Sequence, residues 1–113
     1  MKDQTQSLIE ILMDKTARDD ERDDAAIDLR AYKDIRALNA LVKIASDVDE
    51  DHVLLDNCAD SIGELFVEMN FFDRMLFSQM IPFAKKRVFG IISSRKPELI
   101  APFLKDQILN EIQ

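Results

Sequence analysis

Three aspartates alternate along one short stretch, in the spacing that a calcium-binding loop uses for its first ligands. Asp47, Asp49 and Asp51 occupy the first, third and fifth positions of such a loop. The loop then requires glycine at its sixth position and a bidentate glutamate at its twelfth, where this chain has His52 and Cys58. We therefore expect an acidic turn whose carboxylates favour the positive N-terminus of the next helix, and no metal site.

The single histidine and the single cysteine are the next side chains that could carry chemistry. His52 and Cys58 are six residues apart, so a helix would point them to different sides. A structural zinc site usually takes four such ligands, and a Cys–His nucleophile pair needs adjacency and a third orienting group. We expect Cys58 in the core and His52 in solvent, and we predict no catalytic residues, no cofactor and no enzymatic activity.

The carboxylates form a more distinctive pattern, with runs spaced by about one helical turn and no basic residue between them. Like charges four residues apart destabilise a helix by a few tenths of a kcal/mol, and such local conflicts tend to mark functional sites. The alternative to a binding site is that these carboxylates form a solvent-exposed helix face that only keeps the protein soluble. The candidate partner-binding residues are Asp23, Asp24 and Asp28 on one predicted helix, and Asp56, Asp60 and Glu64 on a later one.

Apolar residues at helical spacing must position these groups, and they predict an all-α fold of about seven helices. Proline is tolerated in the first turn of a helix, so Pro82 and Pro97 are taken as the starts of the last two. The apolar residues that mark the predicted helices lie within 8–12, 25–32, 35–45, 54–69 and 72–80, followed by the helices opened by the two prolines.

An internal repeat links these helices. A shift of 33 residues places the second predicted helix on the fourth, with Leu29 on Ile62, and the first on the third. If such helix pairs stack, the two acidic helices lie side by side and their outward faces merge into one acidic surface. Gly63 and Gly90 each stand alone inside a helical pattern, and we expect both to permit close helix approach.

The stretch Leu54–Leu65 resembles the second helix of a HEAT-type repeat, in which a pair of small residues precedes an aliphatic residue and a glycine. Asp20–Leu29 is similar to a looser copy, and Val88–Gly90 to a degenerate one. The resemblance covers residues 6–69 well. It implies a short right-handed stack of antiparallel helix pairs, a HEAT-like α-solenoid, with an extended surface for a protein partner, and it implies no particular chemistry.

Composition bounds the remaining possibilities. The chain has 113 residues, of which 47% are apolar and 33% charged, which predicts a single domain over residues 1–113. Its apolar runs are far shorter than the ~20 residues of a membrane span. It begins without the pattern of a secretion signal, and one cysteine allows no internal disulfide, so we expect a cytoplasmic protein.

Charge is distributed unevenly along the chain. Residues 1–70 carry 8 basic and 18 acidic side chains, a net charge of −10, whereas residues 71–113 carry 7 and 4, a net charge of +3. The second half holds a small basic group, at residues 85–87 and 95–96. It lacks the extent of the basic stripe that nucleic-acid binding requires, so we expect no direct contact with nucleic acid.

These observations favour a small acidic protein-binding module. Residues 58–72 and 94–100 are also similar to compact HEAT-like bacterial immunity proteins, which implies an antitoxin-like inhibitor that covers a basic toxin domain such as a nuclease. One alternative is a non-catalytic scaffold or assembly subunit, and another is an enzyme-linked helical-repeat family, the bilin lyases or the DNA glycosylases, both generally larger. Most of the Phe- and Met-rich stretch from residue 66 to 89 should be core, and any exposed member would be a candidate anchor for the partner.

Overall fold

The computed structural model describes residues 1–106, and within that range the chain contains helices and no strand. The predicted all-α class is therefore confirmed. None of the helices in that range is both long enough and apolar enough to cross a membrane. The α-helices are α1 (Gln4–Met13), α2 (Asp19–Asp28), α3 (Ile35–Ala45), α4 (His52–Met69), α5 (Arg74–Gln79) and α6 (Pro82–Arg95). Short 3₁₀ segments cover Leu29–Ala31, Pro97–Leu99 and Ala101–Asp106.

The sequence predicts about seven helices and the described residues contain six α-helices, because within residues 97–106 the segment after Pro97 forms only 3₁₀ turns. A helix begun at Pro97 would hold Pro102 in its interior. There the proline ring lacks an N–H and would clash with the carbonyl of Glu98. Pro82, by contrast, opens α6 as predicted. Residues 107–113, which the predicted domain includes, lie outside the described residues.

Four aspartates stabilise helix starts, which accounts for part of the acidic composition. An N-cap carboxylate accepts hydrogen bonds from backbone N–H groups that the first turn leaves without a partner. Asp3, Asp34, Asp51 and Asp73 do this for α1, α3, α4 and α5 respectively. Asp51 therefore belongs to the acidic turn predicted before α4, and its side chain bonds the first helical turn.

The helices pack as two rows of neighbours. Helix α1 contacts α2 and α3, helix α4 contacts α2, α3 and α6, and α5 contacts α3. In the row formed by α2, α4 and α6, Asn57 lies beside Asp23, and the Ser61 hydroxyl donates to the Ala26 carbonyl at 2.6 Å. Residue numbers rise together across this contact, so α2 and α4 run in the same direction. The separation of 34 to 35 residues in these pairs lies close to the 33-residue repeat.

The core follows the predicted buried face of α4. Cys58, Ala59 and Ile62 are fully buried, as expected. A Cβ atom on Gly63 would lie 2.9–3.0 Å from side-chain atoms of Ile91 on α6, which confirms the predicted close approach. The same prediction is wrong for Gly90, because a Cβ atom there would meet nothing within 4 Å.

Candidate functional site

The carboxylates predicted on α4 lie beside α6. The Arg87 Nε atom lies 2.6 Å from the Asp60 carboxylate and 3.7 Å from that of Asp56. Arg95 bonds Glu64 and also reaches Glu68 at 3.2 Å. The sequence showed no basic residue between these carboxylates, but the structure supplies two from the neighbouring helix. The like-charge conflict predicted along α4 is therefore offset across the α4–α6 contact.

The arginines remain charged in this arrangement. Hydrogen bonds to Asp60 raise the pKa of Arg87, and hydrogen bonds to Glu64 raise that of Arg95. Each guanidinium thus contacts two carboxylates that lie one helical turn apart. We call Asp56, Asp60, Glu64 and Glu68 the α4 carboxylates.

On α2, the predicted cluster divides into two parts. Asp24 and Asp28 are exposed and take part in no ion pair with any residue in the described range, whereas Asp23 is partly buried. In the 33-residue repeat, these two aspartates correspond to Asn57 and Ser61, which face the preceding helix. They therefore lie at the free edge of α2, away from α4. We call Asp24 and Asp28 the open pair.

Asp23 is the member of the α2 cluster that lies against α4. Burial is the largest effect on its carboxyl group and raises its pKa, which the nearby charges of Asp51, Asp19 and Asp24 raise further. A hydrogen bond from Asn57 acts in the opposite direction. Its Oδ1 atom is buried and has no hydrogen-bond partner in the part of the chain described. Asp23 thus lies partly buried where α2 meets the start of α4, and this burial favours the neutral form of its carboxyl group.

The structure also contains a buried ion pair that sequence reasoning missed. Arg22 and Glu50 have side chains only 6% and 9% exposed, and they form two parallel hydrogen bonds of 3.1 Å each. Arg22 Nε also donates to the Leu12 carbonyl at 2.9 Å. The repeat contained the signal, because 33 residues after Arg22 stands Leu55, a buried position. Arg22 therefore holds α2 in place through these buried contacts, and its charge is not available to neutralise the exposed carboxylates of that helix.

The candidate metal and nucleophile residues have other surroundings. Asp47 accepts bonds from the backbone N–H of Asp49 and from Lys15, and no group of three or more potential ligands within residues 1–106 is arranged to hold a metal ion. Cys58 is buried as expected, and burial raises the pKa of its thiol to about 12. His52 is exposed as expected, with its ring edge-on to Phe83 at 6.0 Å between centroids.

Exposed apolar side chains remain at one end of the α4–α6 contact. Val53 is 58% exposed and Phe83 is 41% exposed. In the Phe- and Met-rich stretch, Phe66, Phe77 and Met80 are buried, as expected for core. The sequence left open which members are exposed, and the structure identifies Phe83 together with Met75 on α5, which is 74% exposed.

Comparison with known protein families, curated proteins and solved structures gives no match for this chain.

Proposed function

We propose that this protein is a small, acidic, cytoplasmic protein-binding module, and that it acts as an inhibitor of the bacterial immunity or antitoxin type. Its partner would be a basic protein, such as the nuclease domain of a toxin. The observation that carries the proposal is the open pair, Asp24 and Asp28, which are two exposed carboxylates without a cationic partner in the described range. The proposal involves no catalysis, no cofactor and no direct contact with nucleic acid.

A HEAT-like stack is the architecture proposed for this module. Its support is that α1 packs on α2 and α3 on α4, while α2, α4 and α6 follow one another as neighbours. The short helix α5 would form a third and less regular pair with the longer helix α6. We propose the right-handed stacking of HEAT-type repeats for these pairs. Such a stack presents its helix row as a continuous surface to a partner.

The proposed mechanism is electrostatic. Carboxylates on α2 and α4 take the place of nucleic-acid phosphates in the partner's basic site and accelerate encounter with it. Apolar contacts then slow dissociation. The residues proposed to contact the partner are Asp23, Asp24, Asp28, Asp56, Asp60 and Glu64, of which the open pair needs no rearrangement to do so.

The test begins with affinity capture of the partner from the source organism, followed by titration against purified variants. Asp24→Asn with Asp28→Asn should weaken binding about tenfold, because it removes two unneutralised carboxylates at the interface. Glu98→Lys is the matched control, since it changes net charge by the same two units on the 3₁₀ turn after α6. Equal affinity of the two variants would contradict the proposal.

The scaffold alternative rests on the exposed apolar side chains Val53 and Phe83. A scaffold contact would bury them against another subunit and would depend little on charge. Binding should then persist at ~1 M salt, where the screening length is only about 3 Å. Binding that is lost at this ionic strength would exclude the scaffold and favour the inhibitor.

A further inference from the structure

We infer that Arg87 and Arg95 compete with the partner for the α4 carboxylates. The two arginines occupy these carboxylates through ion pairs, whereas the open pair on α2 is not occupied in this way. The inference rests on the proposed function and concerns the regulation of the same surface. Its basis is that the α4 carboxylates already bind two guanidinium groups, those of Arg87 and Arg95 on α6.

The two arginines can leave the carboxylates without disturbing the fold. Their side chains are 50% and 42% exposed, and exposed ion pairs of this kind contribute about 0–1 kcal/mol. Helix α6 is held instead by fully buried apolar side chains, namely Ala84, Val88 and Ile92. An incoming cation therefore competes with two flexible side chains and not with the packing of the helix.

The arrangement divides the acidic surface into an open and a closed part. A basic partner first meets Asp24 and Asp28, which no other cation in the described range holds. It reaches the α4 carboxylates only by displacing guanidinium groups that are tethered to the same molecule and so present at high local concentration. Partners with only weakly basic surfaces would stay on α2, and strongly basic partners would occupy both parts.

A defined cationic peptide tests this competition on the full-length protein. A fluorescent peptide of nine arginines is titrated at low salt against the native chain, the variant Arg87→Ala with Arg95→Ala, and the control Lys33→Ala with Lys43→Ala. The control removes the same charge from two exposed lysines that have no ion pair in the described range. We expect the arginine variant to bind roughly five- to tenfold more tightly than the control, since the four α4 carboxylates are freed from two ion-paired arginines.

Equal affinity of the arginine variant and the lysine control would overturn the inference. If the alanine variant unfolds, Arg87→Gln with Arg95→Gln repeats the test with a side chain that keeps a hydrogen-bond donor. Adding Asp60→Asn and Glu64→Gln to the arginine variant should abolish the gain, and a gain that survives these changes would also overturn it.

Failure of the proposed function has a different signature. In that case Asp24→Asn with Asp28→Asn would bind the captured partner as tightly as Glu98→Lys does. If the open pair matters for the partner and the arginine variant gains nothing on the peptide, the proposed function stands and only the competition is rejected.

Discussion

Gly63 and Gly90 occupy similar helical patterns in the sequence, yet their surroundings differ completely. A methyl group on Gly63 would press on Ile91 at 2.9–3.0 Å, and the atoms it meets include the Ile91 Cβ, which cannot rotate away. Around Gly90 the corresponding space is open. The first glycine is therefore required by the α4–α6 contact, and the second only weakens α6, because glycine is a poor helix former.

Alanine substitutions at these two positions should change stability in opposite directions. Gly63→Ala should destabilise the fold by about 1–3 kcal/mol, because it overpacks a helix contact. Gly90→Ala should stabilise it by up to about 1 kcal/mol through helix propensity. Urea unfolding of both variants measures the difference, and each serves as the control for the other. A destabilising Gly90→Ala would contradict the open surroundings of that residue.

At the scale of elements, α2 depends on contacts outside itself. Its sequence is strongly acidic and only weakly amphipathic, with Ala25 and Ala26 as its small buried residues. Arg22 fastens the helix to two other parts of the chain, the end of α1 through the Leu12 carbonyl and the α3–α4 turn through Glu50. The helix that carries the open pair is thus positioned by a buried charge as well as by apolar packing.

Removal of Arg22 should accordingly be costly. Arg22→Ala removes both hydrogen bonds from the buried Glu50 carboxylate, which keeps only Lys15 at 3.9 Å, and it also removes the arginine donor from the Leu12 carbonyl. We expect a loss of about 3–5 kcal/mol. Arg36→Ala is the matched control, because Arg36 pairs with two aspartates at the surface and its loss should cost less than about 1 kcal/mol. Thermal unfolding of both variants, followed by circular dichroism, makes the comparison. Similar losses would contradict the structural role assigned to Arg22.

The helices were largely predictable because their burial pattern is local. The apolar residues that mark the third predicted helix all lie within α3, and the 33-residue repeat anticipated that α2 packs beside α4. What periodicity could not reveal were partners distant in sequence. Arg22 belongs to an acidic run but is neutralised by Glu50, 28 residues away. Arg87 and Arg95 likewise belong to a basic group whose carboxylate partners lie 27 to 31 residues earlier.

At the scale of the whole molecule, the uneven charge of the sequence corresponds to an uneven pairing of carboxylates between helices. The basic second half is joined to the acidic first half through Arg87 and Arg95, which partly neutralise α4. The carboxylates at the free edge of α2 receive no such compensation in the described part of the chain. Asp24 and Asp28 on α2 are therefore carboxylates whose charge is not offset by an ion pair within residues 1–106, and we propose that a basic partner approaches there.

The electric field of these carboxylates should govern how fast the partner binds more than how long it stays. Raising the salt concentration from ~0.05 to ~0.5 M shortens the screening length to a few Å, and the association rate constant should fall about tenfold or more. The dissociation rate constant should change far less, because it depends on contacts made after docking. Val53→Ala provides the uncharged control, since it shortens an exposed apolar side chain without changing charge, and it should leave the association rate constant unchanged. Stopped-flow measurements separate the two constants, and an association rate that is independent of salt would mean that the acidic end of the molecule does not steer its partner.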